Sequence, residues 1–277
     1  MIVARNIGRL GNNMFQIAMA IGYAKKYGYQ WASDTGSGLS EPYSSIHQSF
    51  PNLPKEHFGS GIRFHEHLNE HCIIHGTHKD QCHFDYHPIP DLGPNVSFSG
   101  FYQSWKYFEN AQEEVKKVFN LPHWIEYQDY VSIHVRRGDY VQHAGSFPPI
   151  TIQYIAKAME YISDKIPVTL ENPTIRFIIF SDDIQWCREN IKLNDEFFFK
   201  FEFSEGRTDK QDLEIMASCK HHIIANSTFS WWASYLGHNP NRIVISPSAE
   251  TWFGPTAGVK KPVVDLIPPN WIQIPTR

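Results

Sequence analysis

The sequence predicts an α/β protein of two lobes, the second of them a doubly wound parallel sheet. Apolar runs at 130–135, 175–180, 197–203, 222–225 and 243–245 alternate with helical patterns, which is the signature of parallel strands joined by crossover helices. A strand, glycine-rich turn and helix open the chain, and its 277 residues suffice for two compact cores. A pause near Pro122 divides it into expected lobes at 1–125 and 126–277.

In chain order, Ile2–Ala4 reads as a short strand. Gly8 to Asn13 follows as a turn, and Met14, Ile17, Ala18, Ile21 and Ala24 then fall on one helical face that Gly28 closes. Residues 34–61, rich in Ser, Gly and Pro, read as long surface loops. Strands are expected at 72–75 and 96–101, and one helix from Trp105 to Phe119. In the second lobe Thr151 is placed to cap a helix bearing Ile152, Ile155, Met159 and Ile162, and a short helix from Phe229 to Leu236 stops at Gly237.

Composition excludes several classes of function. With 25 Lys and Arg against 29 Asp and Glu the net charge is −4, without basic blocks, so neither nucleic acid nor an anionic membrane is the expected partner. Neither a secretory signal nor a membrane span is evident, which gives a cytoplasmic expectation without stable membrane insertion. Cys72, Cys82, Cys187 and Cys219 lack paired spacing and read as reduced thiols. Aromatic residues make up 14% of the chain, enough to fill cores and also offer stacking surfaces to a sugar-like ligand.

In open α/β sheets ligands bind beyond the carboxyl ends of the strands. There the chain places Arg136-Arg137-Gly138-Asp139, Ser181-Asp182-Asp183 and Asn226-Ser227-Thr228. The last of these heads a helix whose free N–H groups suit a phosphate, and Arg136 adds a forked donor set for two phosphate oxygens. Together they describe a diphosphate site without a metal. Ser227 could equally serve only as a helix cap, and Arg136 could only pair with Asp139. Asp182, Asp183 and Asp212 suit ribose hydroxyls or a guanine edge, or else solvated turns.

The Gly8–Asn13 turn is neither a P-loop nor GxGxxG, which removes ATPase and NAD-dependent readings. There is no Asp-x-Asp triplet to carry a divalent cation. His65, His67, His71, His75, His78, His83 and His87, with Cys72 and Cys82, match no standard zinc spacing and fit an acceptor-binding or solvent-facing loop. No metal and no cofactor are therefore expected.

His134-Val135-Arg136-Arg137-Gly138-Asp139 resembles the H-x-R-R-x-D element shared by alpha-1,2-, alpha-1,6- and protein O-fucosyltransferases. Three further stretches resemble glycosyltransferase family 11 in the same order: Gly8 to Gln16, Ser99 to Ser104 with Tyr107-Phe108, and Ile224 to Trp232. Arg9 stands where that family usually has glycine, and Asn13 where it has glutamine. The resemblance spans about residues 1–250. It implies a GT-B-like fold of two Rossmann-like lobes with the donor site in the cleft, GDP-fucose as donor, inversion, and no metal. It implies that Arg136 holds the β-phosphate while Asp139 orients Arg136. His134 and Asp212 would contact the guanosine, Ser227, Thr228 and Phe229 would complete the diphosphate cradle, and Gly11, Asn12 and Asn226 join the donor-binding set. The acceptor it favours is a galactoside fucosylated at O2, with specificity residing in residues 40–110. Asp139, His143 and Glu41 are the candidate bases. The competing readings are a same-fold transferase with another donor or acceptor, a catalytically silent nucleotide- or glycan-binding module, and a metal-dependent hydrolase.

Overall fold

A computed structural model describes residues 1–35, 46–56, 66–69, 85–166, 175–191, 199–259 and 262–276, with backbone alone for 66–69 and Ser99. The chain forms two compact units. One comprises Met1–Asn120 with Gly258–Pro268, the other Leu121–Ala257 with Pro269–Arg277. The two-block division places 258–268 in the second lobe, whereas these residues pack with the first. Asp265 accounts for this locally, since its carboxylate takes Lys106 Nζ at 2.5 Å and the Tyr86 N–H at 2.9 Å, and its carbonyl accepts from Ser104 Oγ at 2.8 Å.

The first unit is built on strands β1 (Ile2–Ala4), β2 (Trp31–Asp34), β3 (Lys55–Glu56), β4 (Glu66–Asn69) and β5 (Val96–Ser99), ordered β3-β2-β1-β5-β4 with every pairing parallel. Helix α1 (Leu10–Tyr27) follows β1 and ends where expected, with Gly28 left-handed at φ 75° and its N–H on Ala24 O. Strand β2 escapes a hydrophobicity reading because it buries Ser33 and Asp34. Asn6 Nδ2 compensates, donating to Ser33 Oγ at 2.9 Å and to Asp34 O at 2.7 Å. The strand expected at 72–75 lies outside the described residues, as do Cys72, Cys82, Glu41 and the histidine cluster apart from His87 and the backbone of His67.

The single helix expected from Trp105 to Phe119 is instead a 3-10 segment, Trp105–Ala111, followed by α3 (Gln112–Val118); a four-residue helix, α2 (Ile46–Ser49), precedes it. Phe108, at φ −130°, breaks the helical run, and both Tyr107 and Phe108 are buried against α1. The approach is close, for a Cβ on Gly22 would lie 2.1 Å from Tyr107 O.

The second unit carries β6 (Tyr130–Val135), β7 (Ile175–Ser181), β8 (Phe199–Phe203), β9 (His221–Ile223), β10 (Val244–Pro247) and β11 (Ile272–Ile274), parallel in the order β11-β10-β9-β6-β7-β8. Strand order reverses between β6 and β9, the topology of a nucleotide-binding Rossmann-like fold. Its helices are α4 (Gly138–Gln142), α5 (Ile152–Ser163), α6 (Ile184–Asn190), α7 (Asp209–Ser218) and α8 (Thr228–Tyr235). Thr151 caps α5 as expected, accepting from Tyr154 N at 3.2 Å, and the helix lays Ile155, Met159 and Ile162 on a core with Val131, Ile133, Phe177 and Ile223. Strand β11 pairs with β10 through Ile245 and Ile272, giving the otherwise unassigned C-terminal segment a place at the sheet edge.

Two predictions follow from this packing. Gly22→Ala forces α1 away from Tyr107, and urea denaturation should find a loss of about 1–3 kcal/mol or more; unchanged stability would contradict the close contact. The second concerns β9, where burial holds His221 down to about 4 and His222 well below its ordinary value, with Lys220 and Arg242 adding repulsion. The unfolded chain protonates such rings near pH 6.5, so folding stability is complete above that pH and falls as pH drops toward 4, by on the order of 2–3 kcal/mol for His221, with His222 acting in the same direction. A melting temperature that stays level from pH 6.5 to 4.5 would refute it.

Candidate functional site

Parallel register aligns the carboxyl ends of the second sheet. Val135 pairs with Ser181, Ile179 with Phe203 and Ile133 with Ile223, so the residues following β6, β7, β8 and β9 emerge along one edge. Arg136 leaves β6 and Asn226-Ser227 lie just beyond β9, on the two sides of the strand-order reversal where a crevice forms.

Arg136 is held between two carboxylates. Its Nη2 meets Asp139 Oδ1 at 2.5 Å and its Nη1 meets Asp182 Oδ2 at 2.7 Å. The other Asp182 oxygen accepts the Arg137 backbone N–H at 2.8 Å. Arg137 turns to the neighbouring acid, with Nε 3.2 Å from Asp183 Oδ2, and its guanidinium lies over the Trp186 ring at 3.6 Å from the centroid. Asp183 Oδ1 in turn caps α6 by accepting from Trp186 N at 3.1 Å. Consecutive aspartates after β7 thus hold consecutive arginines after β6. The predicted pairing of Arg136 with Asp139 is present, and a second carboxylate accompanies it.

Asn226 fixes the other side of the crevice. Its side-chain amide donates to Pro148 O at 3.0 Å and Trp252 O at 2.8 Å, tying two loops together, and its backbone carbonyl accepts from Tyr140 Oη at 3.1 Å. Tyr140 lies with its ring 5.4 Å from the Arg136 guanidinium and stacks on Phe147, so one side chain bridges the two edges of the reversal. Ser227 caps α8, accepting from Phe229 N at 3.4 Å, as the helix-cap reading requires. The positive end of the α8 dipole therefore faces the crevice, which favours an anion there.

His134 and Phe229 pack below this edge. The His134 ring sits 5.7 Å from that of Phe229 and Nδ1 is 2.8 Å from Ser230 Oγ. Burial lowers its pKa to about 4, against a smaller upward pull from Asp182, so the ring is neutral at pH 7.

Asp212 belongs to a separate group. It lies on α7, the helix that leads from β8 to β9, with its carboxylate against Ser204 just past β8. Ser204 Oγ donates to its Oδ1 at 2.5 Å, and Arg207 donates to Ser204 Oγ and to Tyr127 Oη, at 3.0 and 2.8 Å. Burial raises the Asp212 pKa, while Ser204 and Arg207 oppose the shift.

Gly11 and Asn12 belong to the first unit, where they open α1 beside its own strand reversal, between β1 and β5. Gln103 Nε2 donates to Asn12 Oδ1 at 3.0 Å, and Gln16 reaches Gly100 O at 2.9 Å, joining the two loops there. His143, one of the candidate bases, is exposed at the end of α4. Among the described residues no three His, Cys, Asp or Glu side chains gather as a metal site would require. No described helix is long and apolar enough to cross a membrane.

Sequence reasoning missed Tyr140, Asn226's loop-tying amide, Trp186, Ser204 and Arg207. Tyr140 stands four residues after Arg136, and Arg207 three after Ser204, the spacing of a helical turn or tight loop, so adjacency to a strand end was the available signal.

Comparison with known proteins agrees with the topology. The chain is 31% identical over 196 residues to an alpha-1,2-colitosyltransferase of Escherichia coli, covering 65% of this chain and 63% of that protein. It is 36% identical over 146 residues to the O-antigen biosynthesis glycosyltransferase WbnK of Escherichia coli, covering 52% and 44%. The chain thus spans less than two thirds of either bacterial relative. With a mouse galactoside alpha-(1,2)-fucosyltransferase 2 it shares 26% identity over 293 residues, covering 98% of this chain and 77% of the relative.

Among solved structures, the alpha-1,6-fucosyltransferase NodZ soaked with GDP-fucose superposes with a TM-score of 0.53 at 14% identity, covering 88% of this chain and 94% of that one. This likeness concerns the fold, which is α/β and GT-B-like with two Rossmann-like units. The family model for glycosyl transferase family 11 matches residues 98–272, more than half of the chain and strands β6 to β10 of the second unit. The chain belongs to glycosyltransferase family 11.

Proposed function

We propose that the protein transfers L-fucose from GDP-β-L-fucose to O2 of a galactoside or related glycan, with inversion and without a metal. The observation that carries this reading is the placement of Arg136 and the α8 N-terminus on the two sides of the β6/β9 reversal, a cationic fork and the positive end of a helix dipole suited to one diphosphate. Asp212, bonded to Ser204 just past β8, is assigned to the nucleoside end. Asp139 and Asp182 face Arg136 and Asp183 faces Arg137, so each carboxylate here already has a cationic partner within the protein.

The acceptor O2 hydroxyl attacks fucose C1 as the bond from C1 to the β-phosphate oxygen breaks; that electron pair leaves with GDP, and the O2 proton passes to a base, for which Asp139, His143 and Glu41 are the candidates. Arg136 is preorganised against the charge that develops there, with Asp139 orienting it. Losing one such contact costs about 2.7–4 kcal/mol in the barrier. A second reading keeps the chemistry and changes the donor to colitose, which is fucose without its 3-hydroxyl. The 31% identity to an alpha-1,2-colitosyltransferase favours including it. GDP-fucose and a glycan acceptor are the partners, and the cytoplasm is the proposed location.

Measuring GDP release with EDTA present tests both readings. Release is expected from GDP-fucose with a galactoside acceptor, and not from GDP-mannose; a preference for the colitose donor would select the second reading. Arg136→Ala should lower kcat about 10²–10³-fold, and Arg136→Lys should restore little of it, because an ammonium lacks the fork. Activity that vanishes with EDTA, or that survives Arg136→Ala intact, would overturn the proposal.

A further inference from the structure

We propose that Asp182 is a positioning residue that aims Arg136 at the departing diphosphate, and that position 138 is glycine because the held carboxylate leaves no room for a side chain. The inference rests on the donor reading above.

As a lone acid after a strand, Asp182 would be expected to accept from a ribose or from a guanine edge. In the structure both of its oxygens are engaged by the two arginines that follow β6. Oδ2 takes Arg136 Nη1 at 2.7 Å and Oδ1 takes the Arg137 backbone N–H at 2.8 Å. One carboxylate therefore fixes both the guanidinium and the backbone turn from which that guanidinium projects. Its own placement is rigid, because it lies between β7, whose last residue Ser181 pairs with Val135, and Asp183, the cap of α6. The side chain of Asp182 is 26% exposed against 42% for Asp139, so of the two partners Asp182 is the better shielded from water and the stronger anchor.

Gly138 closes the arrangement. Its φ is +21°, and a Cβ there would stand 2.5 Å from Asp182 Oδ2, the same oxygen that holds Arg136. An alanine at this position must displace the carboxylate or distort the turn, and either change releases Arg136.

The charge balance separates this role from a direct nucleotide contact. Asp139, Asp182 and Asp183 outnumber Arg136 and Arg137 by one negative charge. Removing the Asp182 charge makes the site more favourable to an anion at rest, while leaving Arg136 misaligned for the transition state. Ground-state GDP binding and turnover should therefore move in different directions.

The experiment measures the GDP dissociation constant by calorimetry and kcat for transfer in Asp182→Asn, Asp182→Ala and Gly138→Ala, each alone and combined with Arg136→Ala. Expected are a loss in kcat of about 10–100-fold for Asp182→Ala, a smaller one for Asp182→Asn, and GDP affinity equal to or tighter than that of the parent protein. In the Arg136→Ala background these substitutions should cost little further, since their effect passes through Arg136. Gly138→Ala should lower kcat to a similar extent as Asp182→Ala. Should Asp182→Ala fail to fold, Asp182→Asn and Gly138→Ala carry the same comparison. GDP binding that weakens in step with kcat would make Asp182 a nucleotide contact and overturn the inference. Full additivity with Arg136→Ala would overturn it too, and a fully active Gly138→Ala would remove the glycine from it. If Arg136→Ala itself leaves transfer unchanged, the donor reading fails instead.

Discussion

The second sheet reverses its strand order between β6 and β9, and the proposed chemistry depends on that reversal. Crossover helices leave in opposite directions from the two strands, so a crevice opens at their carboxyl ends. What lines it follows from register. With Ile133 beside Ile223 and Val135 beside Ser181, Arg136, Asp182 and Asn226 each emerge within a residue or three of a strand end. Their side chains inherit the rigidity of a core built from Val131, Ile133, Phe177, Ile179 and Ile223, all fully buried.

Electrostatics then decides what the crevice can do. An exposed guanidinium would be mobile and surrounded by water, whereas Arg136 is pinned on both Nη atoms and has an aromatic ring alongside. Such pinning costs reorganisation when the protein folds and spares it when a phosphate arrives, the condition under which a fixed dipole or charge lowers a barrier. The neutral His134 beneath the edge fits the same plan. Its protonation would bring a buried positive charge under the arginine, and burial prevents that at neutral pH.

The strands that bury apolar side chains on both faces were legible from sequence. Strand β6 is observed at its expected limits, and β7 extends one residue further, to Ser181. Strand β2 was not legible because its buried positions are Ser33 and Asp34, satisfied by Asn6 from a distant loop, and hydropathy carries no record of such a partner. The interrupted helix at Trp105–Ala111 was hidden for a related reason. Its break at Phe108 answers to the bare surface of Gly22 on α1, a contact across 86 positions that no local period encodes. At the site, residue types next to strand ends could be read, namely Arg136, Asp182 and Ser227. Their partners could not. That Asp182 faces two arginines rather than a ligand, and that Asn226 joins Pro148 to Trp252, are facts of tertiary geometry.

The central claim is that Arg136 recognises the β-phosphate of a guanosine diphosphate. Calorimetric titration of GDP and of GMP into the parent protein and into Arg136→Ala isolates that contact, because the two ligands differ only in the phosphate concerned. The account predicts that the parent protein binds GDP more tightly than GMP and that Arg136→Ala abolishes most of this preference while leaving GMP affinity nearly unchanged. An equal preference for GDP in both proteins would contradict it.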